Sequence, residues 1–96
     1  MKVVTEFLEI QDDTERQFNA PILIFQNRGE TEVRLSGSQG GSAYVLERVR
    51  DDVEVQYDEL RLELDVEHID TTVYKIEFVG TGTKTLTVIK RVAVQS

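Results

Sequence analysis

Residues 60–66 read L-R-L-E-L-D-V, and this heptad constrains the fold more than any other stretch. Successive side chains on a strand point to opposite faces. Leu60, Leu62, Leu64 and Val66 therefore share one side of an extended backbone, and Arg61, Glu63 and Asp65 the other. The pattern predicts a strand with one dry face and one charged face. The same period of two recurs in Val53-Glu54-Val55-Gln56-Tyr57 and in Tyr74-Lys75-Ile76-Glu77-Phe78. Chains written this way build antiparallel sheets that each bury one face. No window sustains apolar spacing at i, i+3, i+4. Residues 59–67 are rich in helix formers, but their period of two overrides propensity.

Eight strands are expected, at residues 3–10, 22–26, 31–35, 43–50, 53–57, 60–66, 72–79 and 83–94. In the first, Val4, Leu8 and Ile10 share a face. The second is entered through Asn19-Ala20-Pro21, and Pro21, lacking an N–H, suits a strand start. Val33 and Leu35 are expected to point inward from the third. In the last, Leu86, Val88 and Lys90 alternate with Thr85, Thr87 and Ile89. The polar run 11–17 reads as a loop. Asn27-Arg28-Gly29-Glu30 reads as a hairpin-length turn with Gly29 suited to positive φ. Residues 36–42 hold three glycines in seven and read as a flexible loop. Asp51-Asp52, His68-Ile69-Asp70-Thr71 and Gly80-Thr81-Gly82 complete the turns. Short strands at this spacing predict an all-β fold, a small antiparallel β-sandwich of Ig-like or jelly-roll type occupying residues 1–96 as one domain. Leu60, Leu62, Leu64, Ile76, Phe78, Leu86 and Val88 are its expected core.

A chain of 96 residues suits one domain and buries only about 60–65% of its unfolded surface. It has no cysteine, which removes disulfides, thiol catalysis and thiol redox chemistry, and no Cys/His cluster for zinc. Self-association is therefore expected as a source of extra burial. The net charge of −7 is carried wholly by residues 47–70, where ten acids face Arg48, Arg50 and Arg61. Phosphate repulsion disfavours nucleic-acid binding through that face, which is expected to be solvated. No apolar run approaches the roughly 20 residues that span a bilayer, so no membrane partner is expected. Glu6 interrupts any apolar signal-peptide core, which points to a cytoplasmically made product.

Candidate chemistry is sparse. His68 is the only histidine; with Glu67 and Asp70 it could sense pH or hold a metal, but an exposed turn residue is the expected role. No nucleophile elbow accompanies it. Paired carboxylates could run glycoside hydrolysis, yet the acids sit on wet strand faces or in turns and tryptophan is absent. Asp12-Asp13-Thr14-Glu15 and Asp51-Asp52-Val53-Glu54 could attract calcium, but neither has EF-hand spacing, and both read as turn formers. The 37–41 glycine loop lacks the Lys-Ser/Thr pair and the following helix of a phosphate cradle. No catalytic, cofactor or metal residue is assigned. The interaction candidates are Val3, Val4, Phe7, Leu8, Val92 and Val94, in short apolar segments suited to sheet edges that pair with a neighbour.

Two segments carry a family likeness. Ser42-Ala43-Tyr44-Val45-Leu46-Glu47-Arg48-Val49-Arg50-Asp51-Asp52 is followed by Tyr74-Lys75-Ile76-Glu77-Phe78-Val79-Gly80-Thr81-Gly82-Thr83-Lys84-Thr85-Leu86-Thr87-Val88. Over residues 33–94 the chain resembles a small β-sandwich module of tailed-bacteriophage virion proteins. In that module a "V-L-E-R-S-x-D-G" strand meets a late "Y-R-x-x-x-x-x-G-T-G-x-x-x-V" hairpin. Here Asp51-Asp52 stands where Asp-Gly is usual, and the tryptophan that commonly follows is absent. The resemblance implies a non-enzymatic virion component, a capsid decoration or cement protein or an accessory head protein, with the major capsid protein as partner and no cofactor. The alternative is a receptor- or carbohydrate-binding module at a tail or fibre tip, or an Ig-like adhesion domain.

Overall fold

The chain is folded as one long hairpin that has then been rolled up. The computed structural model describes residues 2–49 and 57–94, and among these all regular structure is β. The strands are β1 (Lys2–Ile10), β2 (Thr14–Gln17), β3 (Ile22–Asn27), β4 (Glu32–Gly37), β5 (Gly40–Leu46), β6 (Asp58–Glu63), β7 (Val73–Val79) and β8 (Leu86–Val94). The hairpin pairs are nested and antiparallel: β4 with β5 at the tip, then β3 with β6, β2 with β7, and β1 with β8 at the open end. Rolling adds β3 against β8 and β4 against β7. The products are two four-stranded sheets, β1-β8-β3-β6 (sheet A) and β2-β7-β4-β5 (sheet B). This is the nested order of a jelly roll; an Ig-like sandwich divides its strands differently.

Alternation places the core between the sheets. Sheet A contributes Ile10, Leu23, Phe25, Leu86 and Val88, and sheet B contributes Val33, Leu35, Leu46, Tyr74, Ile76 and Phe78. Phe18, between β2 and β3, meets Phe25 edge-on at 5.8 Å and Tyr74 at 6.0 Å, closing one end with an aromatic cluster. The sequence pattern had pointed at the wrong leucines for the centre. Leu60 and Leu62 only flank the core, and Leu64 is 48% exposed. The reason is register: β6 stops at Glu63, where its partner β3 begins at Ile22, so the heptad outruns its strand. Leu64 is held instead by its N–H donating to the Pro21 carbonyl at 2.8 Å.

Other boundaries also differ from expectation. The run 11–17 is not all loop, because Thr14–Gln17 forms β2 against β7. Asp13 supports the pairing, its Oδ1 accepting from the Phe78 N–H at 2.9 Å. The 36–42 stretch is a tight hairpin rather than a flexible loop: Gly37 pairs with Gly40 across Ser38-Gln39, and positive φ falls just after the turn, at Gly40 (112°) and Gly41 (96°). Residues 43–50 shorten and shift to Gly40–Leu46. The turn at Asp51-Asp52, most of the 53–57 strand and the Asp51–Glu54 acidic cluster lie outside the described residues. The strands at 72–79 and 83–94 stand as Val73–Val79 and Leu86–Val94, with the Gly80-Thr81-Gly82 turn between them.

The crossing from sheet A to sheet B at residues 27–31 is held by one side chain. Asn27 is fully buried, and its Nδ2 lies 2.8 Å from the Thr31 carbonyl, 3.1 Å from that of Leu46 and 2.9 Å from that of Glu47. Its Oδ1 accepts from the Gly29 N–H at 3.1 Å. Gly29 is needed for space rather than for positive φ. A Cβ there would come within 2.6 Å of the Thr83 oxygen and the Thr85 nitrogen, both backbone atoms of the β7–β8 connection. The Arg28 and Glu30 N–H groups donate to the Thr85 and Thr83 carbonyls at 3.0 and 2.7 Å, which fixes this approach.

Two expectations follow from this packing. Phe25→Ala should cost about 3–5 kcal/mol as a core truncation, whereas Leu64→Ala should cost less than about 0.5 kcal/mol. Urea unfolding of the two variants checks this. Asn27→Ala, which strips buried carbonyls of their donor, should cost about 2–3 kcal/mol, and Gly29→Ala should cost about as much through backbone clash. If either variant unfolds at the wild-type urea midpoint, the crossing is not held as described.

Candidate functional site

The six residues singled out as interaction candidates come together on one ribbon. β1 and β8 pair along their whole length, with Val3 opposite Ala93, Val4 opposite Val92, Phe7 opposite Ile89 and Leu8 opposite Val88. One side of the 92–94 segment is thus taken by β1, and its other side has no strand beside it among the described residues. β3 accompanies β8 only as far as Ile22 opposite Arg91, so beyond Thr5 and Arg91 the two strands run on as a two-stranded arm. β1 ends the order of sheet A, so its outer backbone edge has no strand beside it among the described residues.

Leu8 and Val92 pack against the core, whereas Val3 is 52%, Val4 44% and Phe7 71% exposed, and Val94 is exposed at the arm's end. Alternation sets Lys2, Val4 and Glu6 on the core side of β1 and Val3, Thr5, Phe7 and Glu9 on the outer side. On the core side Lys90 anchors the root of the arm. Its Nζ donates to the Phe18 carbonyl at 3.0 Å and lies 3.6 Å from the Glu6 carboxylate.

The outer face of sheet A is apolar along its middle row, Phe7–Ile89–Ile24, which ends at Arg61 on β6; Ile24 is only 8% exposed although it points away from the core. Beside this row an open depression of about 430 Å³ is lined by Phe7, Glu9, Gln26, Arg28, Thr87 and Ile89, with Leu8 at its edge. A polar chain borders it. The Arg28 guanidinium sits 4.2 Å over the Tyr57 ring and donates to Gln26 Oε1 at 2.8 Å, while Gln26 Nε2 donates to Glu59 Oε1 at 2.7 Å. Sheet B presents the opposite character. Its outer face carries the pairs Arg34–Glu32 (3.0 Å) and Lys75–Glu77 (3.4 Å), with Glu15 opposite Lys75. Of the two broad faces, only that of sheet A offers a dry surface.

Sequence reasoning set Ile89 opposite Leu86 and Val88 without singling it out as a surface former, and it missed Ile24, because the unbroken apolar run I-L-I-F on β3 has no alternation to show which residues face outward. It also missed the Arg28–Tyr57 stack, which joins residues on either side of two other strands. His68 is exposed, in the turn after β6, with its N–H donating to the Asp65 carbonyl at 2.9 Å. Among the described residues, no three His, Cys, Asp or Glu side chains converge as metal ligands. No protein-family model, no curated protein and no solved structure matches the chain.

Below the arm, Asp70 secures the 64–72 connection. Its N–H donates to the Ala20 carbonyl at 3.1 Å, and its carboxylate accepts from the Thr72 N–H at 2.9 Å and from the Tyr74 hydroxyl. Burial raises the Asp70 pKa, but the hydrogen bonds from Thr72 and Tyr74 together outweigh it and the net shift is downward. Burial, then the Asp70 hydrogen bond and the Asp70 charge, push the Tyr74 pKa well above its ordinary 10.0. A raised tyrosine pKa stabilises the fold below the unfolded-state value and loses that contribution as pH climbs above it. A lowered aspartate pKa contributes above its unfolded value of about 4 and is lost as pH falls through the folded one. Stability should therefore fall above about pH 10, and Tyr74→Phe should flatten that alkaline limb in urea titrations run from neutral pH upward.

Proposed function

We propose that this chain is a non-enzymatic virion protein, a capsid decoration or cement protein or an accessory head protein, that self-associates and docks on a repeated lattice built by the major capsid protein. The observation that supports the reading is the arm: a strand edge unpaired among the described residues, beside exposed Val3, Val4 and Phe7 and next to the dry outer face of sheet A. An open edge of this kind is a template for main-chain pairing with another protein, and a contiguous exposed apolar surface is a feature of interaction sites. The jelly roll is an architecture of viral capsid domains, which adds weight by analogy. It is also an architecture of lectin domains, so a receptor- or carbohydrate-binding module is the competing reading. Glu59, Glu63, Asp65 and Glu67 stay in solvent in this scheme, and neither nucleic acid nor membrane takes part.

Quantitative mass spectrometry of purified particles tests the proposal. The chain should be present at a copy number near that of the capsid subunit, and isolated capsids should retain it. Phe7→Glu, at a site too exposed to matter for folding, should lower that retention at least about tenfold, in line with loss of a central apolar anchor. Absence from particles, or glycan binding with no affinity for capsids, refutes the lattice role.

A further inference from the structure

The arm edge is complementary to itself. In the order Lys2-Val3-Val4-Thr5-Glu6, a base and an acid lie two residues either side of Val4 and on the same face of β1. We infer that β1 pairs antiparallel with β1 of a second copy about a two-fold axis at Val4, joining the two A sheets edge to edge. The inference rests on the self-association proposed above and names its surface and register.

In that register each Lys2 stands opposite the other copy's Glu6, Val3 opposite Thr5, and Val4 opposite Val4. Cross-strand neighbours extend these pairs into rows. Val92–Val4–Val4–Val92 crosses the centre, flanked on each side by a row in which Glu6 lies between its own Lys90, at 3.6 Å, and the incoming Lys2. Directly opposed unlike charges and β-branched pairs are the stabilising units of an antiparallel sheet. Other registers that keep both sheets facing the same way lack this match. One centred on Thr5 sets Val4 against Glu6 and Lys2 against Leu8, and one centred on Glu6 opposes two like charges. The interface is isologous, so the pairing closes at two copies.

The other outer strands are less suited. β2 has four residues, and β6 alternates Glu59, Arg61 and Glu63 on its exposed face. β5, Gly40–Leu46, is uncharged and so has nothing to fix a register; it also carries positive φ at Gly40 and Gly41 and a register shift against β4.

Single-thiol crosslinking of the full chain reads the register directly, because the protein has no cysteine of its own. Self-opposed residues in an antiparallel pair have Cα atoms about 4.5–5.5 Å apart, within disulfide range. On mild oxidation Val4→Cys should give a disulfide dimer and Thr5→Cys should not. Lys2→Glu and Glu6→Lys should each weaken dimerisation about ten- to thirtyfold by sedimentation, since each sets two like-charge pairs across the axis. Mixed in equal amounts, the two variants should dimerise with each other, because every opposed pair is then of unlike charge; this restores what a folding defect in either could not. Failure of Val4→Cys to crosslink, equal crosslinking of Thr5→Cys, or no recovery on mixing would overturn the pairing. Retention on capsids without Val4→Cys crosslinking overturns the pairing alone. A crosslinked dimer with no affinity for capsids overturns the lattice role alone.

Discussion

The buried carboxamide of Asn27 is the interaction on which the roll depends. At that point the chain leaves sheet A and enters sheet B, and a backbone making such a corner cannot satisfy its carbonyls within either ladder. Asn27 gathers carbonyls from the start of β4 and the end of β5, and it accepts from Gly29, so three separate segments share one polar centre. The centre is buried, where such bonds are strong and where an unmet group is costly. Gly29 then allows the β7–β8 connection to lie against the same corner. Strands from both halves of the hairpin are thereby fixed beside one another. Most of the fold's pairing is non-local, so this corner sets which long-range pairs can form.

How much of this was legible in the sequence follows from how local each determinant is. Val73–Val79 and the inward Val33 and Leu35 were readable because alternation and turn chemistry are written within a few residues. The 60–66 heptad was readable as a strand, but not its end, because β3 decides where β6 stops. Thr14–Gln17 has no apolar residue to announce it and exists only because β7 offers an edge and Asp13 caps the Phe78 N–H. Gly29 was recognised as special for the wrong reason: a need for positive φ is a local property, whereas contact with Thr83 and Thr85 is tertiary. For the arm, the apolar composition of residues 3–8 and 92–94 was visible, but that the two pair with each other was not.

The two sheets also divide their outer faces in a way that composition hides. Glu15, Arg34, Lys75 and Glu77 sit on sheet B in rows of alternating sign, so that face is solvated and resists packing. On sheet A the corresponding rows hold Phe7, Ile24 and Ile89, with charge pushed to β6, where Arg61 bridges Glu63 at 3.4 Å. Charged side chains on β6 blunt that edge against indiscriminate pairing. On sheet A, the edge that charge leaves open is β1.

The arm lies at the open end of the rolled hairpin, and this has an energetic consequence. Each strand deeper in the roll has two neighbours or a covered face, whereas among the described residues Lys2–Val4 and Val92–Val94 have only one another as strand neighbours, and of these six residues Val92 packs against the core. Segments with few buried contacts open at a small fraction of the global unfolding free energy, and binding segments are drawn from that class. A free copy therefore holds its arm weakly, and the Lys90 contacts to Phe18 and Glu6 are what keep its root in register. A strand laid along β1 would supply the missing neighbour and order the ribbon. Part of the free energy of association is then spent on completing the fold, as with other segments that order when they bind. Under the proposed pairing, affinity at this edge would be tied to the stability of the arm, whose root Lys90 holds through Phe18 and Glu6.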